Sequence, residues 1–353
     1  MVGVDGLLPL PWIESVLRRT LQSQHAHALL LHGPQGIGQF ELALTIAQAW
    51  LCEAADTPAR PCGVCASCRL VQAHSHPDLL VLLPEALQEP LGWAAADSDD
   101  GGSERASKAK QPSKEIKVEA VRAAVNFAQT TSARGRAKVV VLHPAERMNG
   151  VSANTLLKTL EEPPGVARFV LSCAAPDALL PTIRSRCQGV ALALPPTEQA
   201  GEWLAAQGVA DPAVLLAAAG GQPQEALDWA RQGIAAAAWL RLPALVAQGS
   251  AAGFGMWPLA RVVDALQKLC HDAACVAAGA APRYFPAESV RAGADPAALH
   301  AWMRELNRVA RHAEHPWNAG LMAESLVQQG QRALAIVGAK GRAPRNTSVH
   351  SGA

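Results

Sequence analysis

The chain has 353 residues, room for two or three domains. Its 31 Lys and Arg against 30 Asp and Glu leave a formal charge of +1, which excludes a surface that attracts polyanions everywhere and makes any nucleic-acid contact local. Eight cysteines in such a length are too sparse for a disulfide scaffold. No uncharged run reads as a membrane span and the first residues lack an export pattern, so a cytoplasmic protein is expected.

In chain order, short apolar runs at residues 28–31, 79–83, 139–142, 169–173 and 190–194 read as buried parallel strands. Between them Val118, Val121, Val125 and Ala128 recur at helical spacing. Ala153, Leu156, Leu157 and Leu160 do the same before Pro163 and Pro164 stop that helix. Alternation of strand and helix predicts a covered α/β sheet over residues 1–194. Residues 86–113 dissolve into Ala, Gly, Ser and charge and are expected to form a disordered surface loop. After Pro195 and Pro196 no strand pattern returns. A small Ala/Gly-rich helical segment, residues 195–238, precedes a larger helical region, residues 239–338, and a polar disordered tail, residues 339–353. The fold class is α/β followed by all-α.

The first strand runs into His32 and then Gly33-Pro34-Gln35-Gly36-Ile37-Gly38-Gln39-Phe40, with a helix from about Glu41. Strand, glycine turn and helix start form the context of a phosphate loop. The chemistry has changed, however. Gln39 stands where a lysine would reach the β- and γ-phosphates, and Phe40 where a hydroxyl would meet Mg²⁺. The 139–142 strand continues into His143-Pro144-Ala145 instead of adjacent carboxylates, with Glu146 displaced, and Ser172-Cys173-Ala174-Ala175 offers little to a γ-phosphate. Losses at separate places predict a kept fold without ATP hydrolysis. An ordinary glycine-rich turn is the alternative.

Cys52, Cys62, Cys65 and Cys68 follow C-x9-C-x2-C-x2-C. Two overlapping C-x2-C steps chelate tightly and Cys52 closes a tetrahedron, so a structural Zn²⁺ is expected; paired disulfides and free thiols are disfavoured by compartment and clustering. His74 and His76 lie close by but are surplus to a four-thiolate site and read as loop residues.

The runs Ala153-Asn154-Thr155-Leu156-Leu157-Lys158-Thr159-Leu160-Glu161-Glu162-Pro163-Pro164 and Leu179-Leu180-Pro181-Thr182-Ile183-Arg184-Ser185-Arg186-Cys187 resemble the clamp-loader branch of the AAA+ ATPases. With the degenerate loop, Pro11-Trp12, the 145–149 stretch and His315-Pro316-Trp317-Asn318-Ala319, the chain is similar to the loader subunits of bacterial DNA polymerase III. The resemblance implies an AAA+ domain, a helical lid and a C-terminal collar. It implies partners too: gamma/tau motor subunits and a delta subunit in a hetero-pentameric ring that places a sliding clamp on primer-template DNA. Gln224 stands where the family's lid carries a nucleotide-sensing arginine. Arg186, in Ser185-Arg186-Cys187, is the expected arginine finger, reaching a neighbour's γ-phosphate in trans; Arg184 ranks second, and pairing of Arg186 with an acid of its own domain is the alternative. The N-terminus of the 149–162 helix and Lys158 are candidate DNA contacts, with a solvated role equally open for Lys158. No productive ATP binding is expected, and the rival functions are an active loader ATPase and a free-standing zinc-dependent nucleic-acid binder.

Overall fold

The computed structural model describes residues 1–22, 26–55, 60–94, 112–255, 257–290, 293–312 and 317–335. Its elements run α1 (Glu14–Gln22), β1 (Ala28–His32), α2 (Gln39–Leu51), α3 (Ala66–Gln72), β2 (Leu79–Leu82), α4 (Glu85–Gln88), α5 (Val118–Gln129), β3 (Lys138–Leu142), α6 (Gly150–Glu161), β4 (Ala167–Cys173), α7 (Pro181–Arg184), β5 (Gln188–Ala191) and α8 (Thr197–Ala206). Among the described residues the helices α9 (Pro212–Ala218), α10 (Pro223–Arg231), α11 (Ala236–Ala247), α12 (Leu259–Ala277), α13 (Pro296–Arg311) and α14 (Ala319–Ala333) follow. Two compact units result, one of residues 1–206 with 222–225, the other of 207–221 with 226–353.

The sheet of the first unit is wholly parallel in the order β2-β3-β4-β1-β5. Period-two alternation sends neighbouring side chains to opposite faces, and both faces are covered. Leu29, Leu31, Val139, Val141 and Val170 join the core under α1 and α2, while Leu30, Val140, Leu142, Phe169 and Leu171 join the core under α5 and α6. Each such side chain, fully buried, contributes about 1.5–3 kcal/mol. The central strands are the longest, and the edge strands β2 and β5 have four residues each. Because α2 is buried almost all round, its polar side chains need internal partners. Gln48 accepts from Val2 N at 2.8 Å and donates to Val2 O at 3.0 Å, and Thr45 donates to Glu41 O.

Two expectations are corrected. The apolar run at 190–194 forms a strand only as far as Ala191, which starts earlier, at Gln188, and whose residues are largely exposed. Among the described residues it pairs with β1 alone, so much of its surface is free of the burial that makes a strand legible. The expected loop of residues 86–113 is ordered at both described ends. Glu85–Gln88 is a helical turn; Ala86 N donates to Ser113 O, Ser113 N donates to Glu85 Oε2 at 3.0 Å, and Lys117 pairs with Glu85. Trp93 stacks on His74 with ring centroids 3.9 Å apart. Residues 95–111 and the expected tail lie outside the described residues.

The second unit packs α11 to α14 around Trp229, Trp239, Trp302 and Leu266. Polar tips of these large rings find acceptors: Trp302 Nε1 donates to Leu326 O at 3.0 Å and Trp239 Nε1 to Tyr284 O at 3.1 Å. A Cβ on Gly330 would stand 2.5 Å from the Trp302 ring, so glycine lets α14 approach that closely. Asp272, wholly buried on α12, accepts from the main-chain N–H groups of Arg283, Tyr284 and Phe285 at 2.7–2.9 Å. Asp272→Ala orphans these donors, at about 1–3 kcal/mol each. The urea midpoint is expected to fall by the equivalent of about 3 kcal/mol, read by helical circular dichroism.

Candidate functional site

The glycine turn leaves β1 at the carboxyl end of the sheet and delivers the chain into α2. Gly36 and Gly38 have φ of 72° and 100°, left-handed values that side chains avoid, which sets the turn and aims its amides along the start of α2. Space is tight as well. A Cβ on Gly38 would lie 2.2 Å from Leu10 Cδ1, and one on Gly33 2.3 Å from Leu192 O.

The loop's own side chains occupy its interior. Gln39 is buried, and its amide donates to Gly33 O at 2.8 Å and to Pro34 O. Its polar end is thus turned back on loop carbonyls. Trp12 Nε1 donates to Ile37 O at 2.7 Å, pinning the segment before α1 against the turn. Phe40, also buried, stacks on His143 at 4.9 Å between centroids. From residues 222–225, Gln224 N donates to Gly36 O at 3.1 Å and its amide to Glu41 Oε1 at 2.5 Å. A hydrogen-bonded glutamine, an aromatic stack and an indole contact therefore surround the turn from β1 into α2.

Two side-chain contacts close the ends of β3 and β4. His143 Nδ1 lies 2.9 Å from Ser172 Oγ, and Glu146 Oε1 accepts from Ala174 N at 2.8 Å, a pairing that sequence spacing does not reveal. Burial pulls the His143 imidazole from 6.5 down to about 4. In that window the unfolded chain takes up a proton that the folded chain refuses, so this contribution to stability is full above about 6.5 and lost as pH falls to about 4. Urea melts from pH 7 to 4 are expected to lose less stability in His143→Gln than in the parent.

The four cysteines meet as expected. Cys52 ends α2 and Cys65 caps α3, and all four Sγ atoms lie within 4.8 Å of one another. Cys62 Sγ is 4.0 Å from Cys68 Sγ, and Cys65 Sγ 3.9 Å from Cys52 Sγ. Tetrahedral thiolates bound at about 2.3 Å stand about 3.8 Å apart, so this donor set fits such an ion. Cys65 N donates to Cys62 Sγ and Cys68 N to Cys65 Sγ, both at 3.4 Å, as suits anionic sulfur. Burial pushes the Cys62 thiol up, but N–H donors from Cys65 and Val64 outweigh it and the group settles at about 7. Burial pushes Cys52 and Cys68 up.

His76 lies on the loop between α3 and β2, as the sequence reading has it, but it is buried there and ties this knuckle to the sheet. His76 Nδ1 accepts from Asp78 N, leaving Nε2 to donate to Ser67 Oγ at 3.1 Å; Ser67 in turn donates to Glu53 Oε1, and Arg134 bridges both. Burial pushes the Asp78 carboxyl up, but the amides of Ala133 and Arg134 with the Lys138 ammonium hold it below its ordinary value.

Arg186 lies after α7 and is partly exposed. Nη2 pairs with Glu161 Oε2 at 3.1 Å, Nη1 donates to Thr182 O at 3.1 Å, and Nε is buried with no acceptor among the described residues. The own-domain acid that competes for it is thus Glu161. Arg184 pairs with Asp177 at 3.0 Å. Lys158 is exposed on α6, whose N-terminus is capped by the Asn149 side chain accepting from Ser152 N at 3.0 Å.

Sheet order, glycine turn and following helix define an α/β protein of the phosphate-loop class, carrying a cysteine knuckle and a helical second unit. The chain belongs to the family described as DNA polymerase III, delta subunit, whose model matches residues 11–196. It is 40% identical over 217 residues to the DNA polymerase III subunit delta' of Pseudomonas aeruginosa, covering 60% of this chain and 58% of that one. With the delta' subunit of Escherichia coli K12 it shares 33% identity over 224 residues, 62% and 59% of the two chains. A DNA polymerase III subunit tau of Salmonella typhimurium is 34% identical over 161 residues, 46% of this chain and 21% of tau. The matches span about three fifths of the length of the delta' relatives. Among the described residues, no helix is long and apolar enough to cross a membrane.

Proposed function

We propose that this chain is a non-hydrolysing, delta'-type subunit of a DNA polymerase III clamp loader, working in the cytoplasm. It joins gamma/tau motor subunits and a delta subunit in a hetero-pentameric ring that places a sliding clamp on primed DNA. Its own catalytic role is to lend Arg186 to a neighbouring ATPase site. The division into AAA+ domain (1–194), lid (195–238) and collar (239–338) belongs to this reading, as do a structural Zn²⁺ on Cys52, Cys62, Cys65 and Cys68 and a DNA-facing role for Lys158.

One observation carries the proposal: the phosphate loop is filled by Gln39, whose amide is spent on Gly33 and Pro34 carbonyls. To admit a triphosphate the loop would give up those bonds and gain no cation in return. Partial exposure of the Arg186–Glu161 pair adds support. An exposed ion pair is worth about 0–1 kcal/mol, so exchanging Glu161 for a γ-phosphate across a subunit boundary costs little. The zinc ion, when bound, holds α2 and α3 together by its four thiolates; the closed donor set leaves no position for substrate.

The test is equilibrium binding of Mg-ATP to the isolated chain, followed by ATPase assays of the motor subunits with and without it. No binding and no turnover alone, with stimulated turnover in the assembled ring, is the expected result. Turnover by the isolated chain overturns the reading.

A further inference from the structure

At the end of the sheet opposite the glycine turn, a cavity of about 460 Å³ opens beside the amino ends of β1, β3 and β4. Among its lining residues are Arg60, Arg136, Arg168, His27 and Trp50, and none of them is acidic. Three arginines distant in sequence thus share one concavity. No carboxylate pairs with any of them among the described residues.

Each guanidinium is held in place without being neutralised. Arg136 Nη2 donates to Cys52 O at 2.8 Å, and Arg60 donates through Nε and Nη2 to Ala54 O at 2.8 and 2.5 Å. Arg168 lies with its guanidinium carbon 4.9 Å above the Trp50 ring, a contact that leaves its edge donors unused. Burial also pulls the Arg168 guanidinium below its ordinary value, the mark of a cation removed from water without a counter-charge. Like charges facing one cavity repel each other, and an anion seated among them relieves both penalties.

We propose that this cavity is a binding site for a phosphate group, held by Arg168, Arg136 and Arg60. The rigid fork of arginine matches phosphate oxygens in pairs, and several cations favour a multiply charged group over a single carboxylate. The volume lies in the range of small-ligand pockets and exceeds what a bare phosphate fills, so the group arrives on a larger molecule. A mononucleotide and the backbone of a DNA strand are the two sources of that chemistry. The site is separate from the glycine turn, and its standing does not depend on the loader assignment.

Calorimetric titration of the full, metal-loaded chain with inorganic phosphate, a nucleoside 5′-monophosphate and a single-stranded oligonucleotide tests it. Phosphate and the monophosphate are expected to bind with Kd at or below about 1 mM, weakening as salt rises. Arg168→Gln is expected to lower that affinity about tenfold or more with an unchanged circular dichroism melt; if that variant unfolds, Arg60→Gln serves in its place. Binding of the oligonucleotide without the small ligands, and lost in the same variant, assigns the source to the DNA backbone. Absence of binding by all three, or affinity unchanged in a folded variant, overturns the proposal.

Discussion

Arg186→Ala is expected to leave ring assembly intact while DNA-stimulated ATP hydrolysis falls by about 10³-fold or more at the adjoining site. The asymmetry follows from geometry. In the single chain Arg186 contributes only a partly exposed pair with Glu161 and a bond to Thr182 O, so removing it has little effect on the fold, about 0–1 kcal/mol. In phosphoryl transfer, by contrast, charge spreads over the equatorial oxygens, and a cation placed there from outside stabilises the transition state more than the ground state. Arg186→Lys is expected to recover little, because a point charge on a flexible stem lacks the fork. Glu161→Gln separates the two roles: it frees Arg186 from its local partner and is expected to keep turnover at or above the parent's level. Steady-state phosphate release from the reconstituted loader, with gel filtration to check assembly, reads all three. Turnover undiminished in Arg186→Ala would sink the role given to this residue.

Cys68→Ser is expected to abolish stoichiometric zinc binding and to lower the melting temperature by about 10 °C. Cys68 is wholly buried, and its loss leaves three thiolates where four would close a tetrahedron. The effect reaches beyond the knuckle because Cys52 ends α2 and its carbonyl holds Arg136, while Ser67, between two of the ligands, is bonded to His76 and Glu53. Val64→Ser, an exposed change within the same turn, is expected to alter neither quantity. Metal content by absorption spectroscopy and thermal melts with and without a chelator check the prediction. A chelated parent that melts where the untreated one does contradicts it.

Much of the sheet is legible in the sequence because four of its strands lie under helices on both faces and so read as unbroken apolar runs. β5 is misread by a few residues for the same physical reason: being exposed, it follows no burial pattern. At four residues α4 is too short for a helical period, and what orders it is a bond to Ser113 across a long sequence gap. The cysteine spacing gives the knuckle in full, since chelation by overlapping turns is a local property. His76 carries no such signal; its role depends on Ser67 and Asp78 converging in space. The missing lysine at Gln39 is plain in the sequence. Its amide turning inward and the Trp12 indole reaching Ile37 depend on loop dihedrals and on contact over 25 positions, which spacing does not encode. Nor does any motif gather Arg60, Arg136 and Arg168.

The two ends of the strand order, β2 and β5, are both four residues long, flanking longer strands between them. Unpaired main-chain groups at a rim invite another chain to add itself, and a rim this brief offers too few rungs for such stacking to take hold. Precipitation through sheet-to-sheet growth is thereby discouraged, so the lone polypeptide should tolerate concentration and storage.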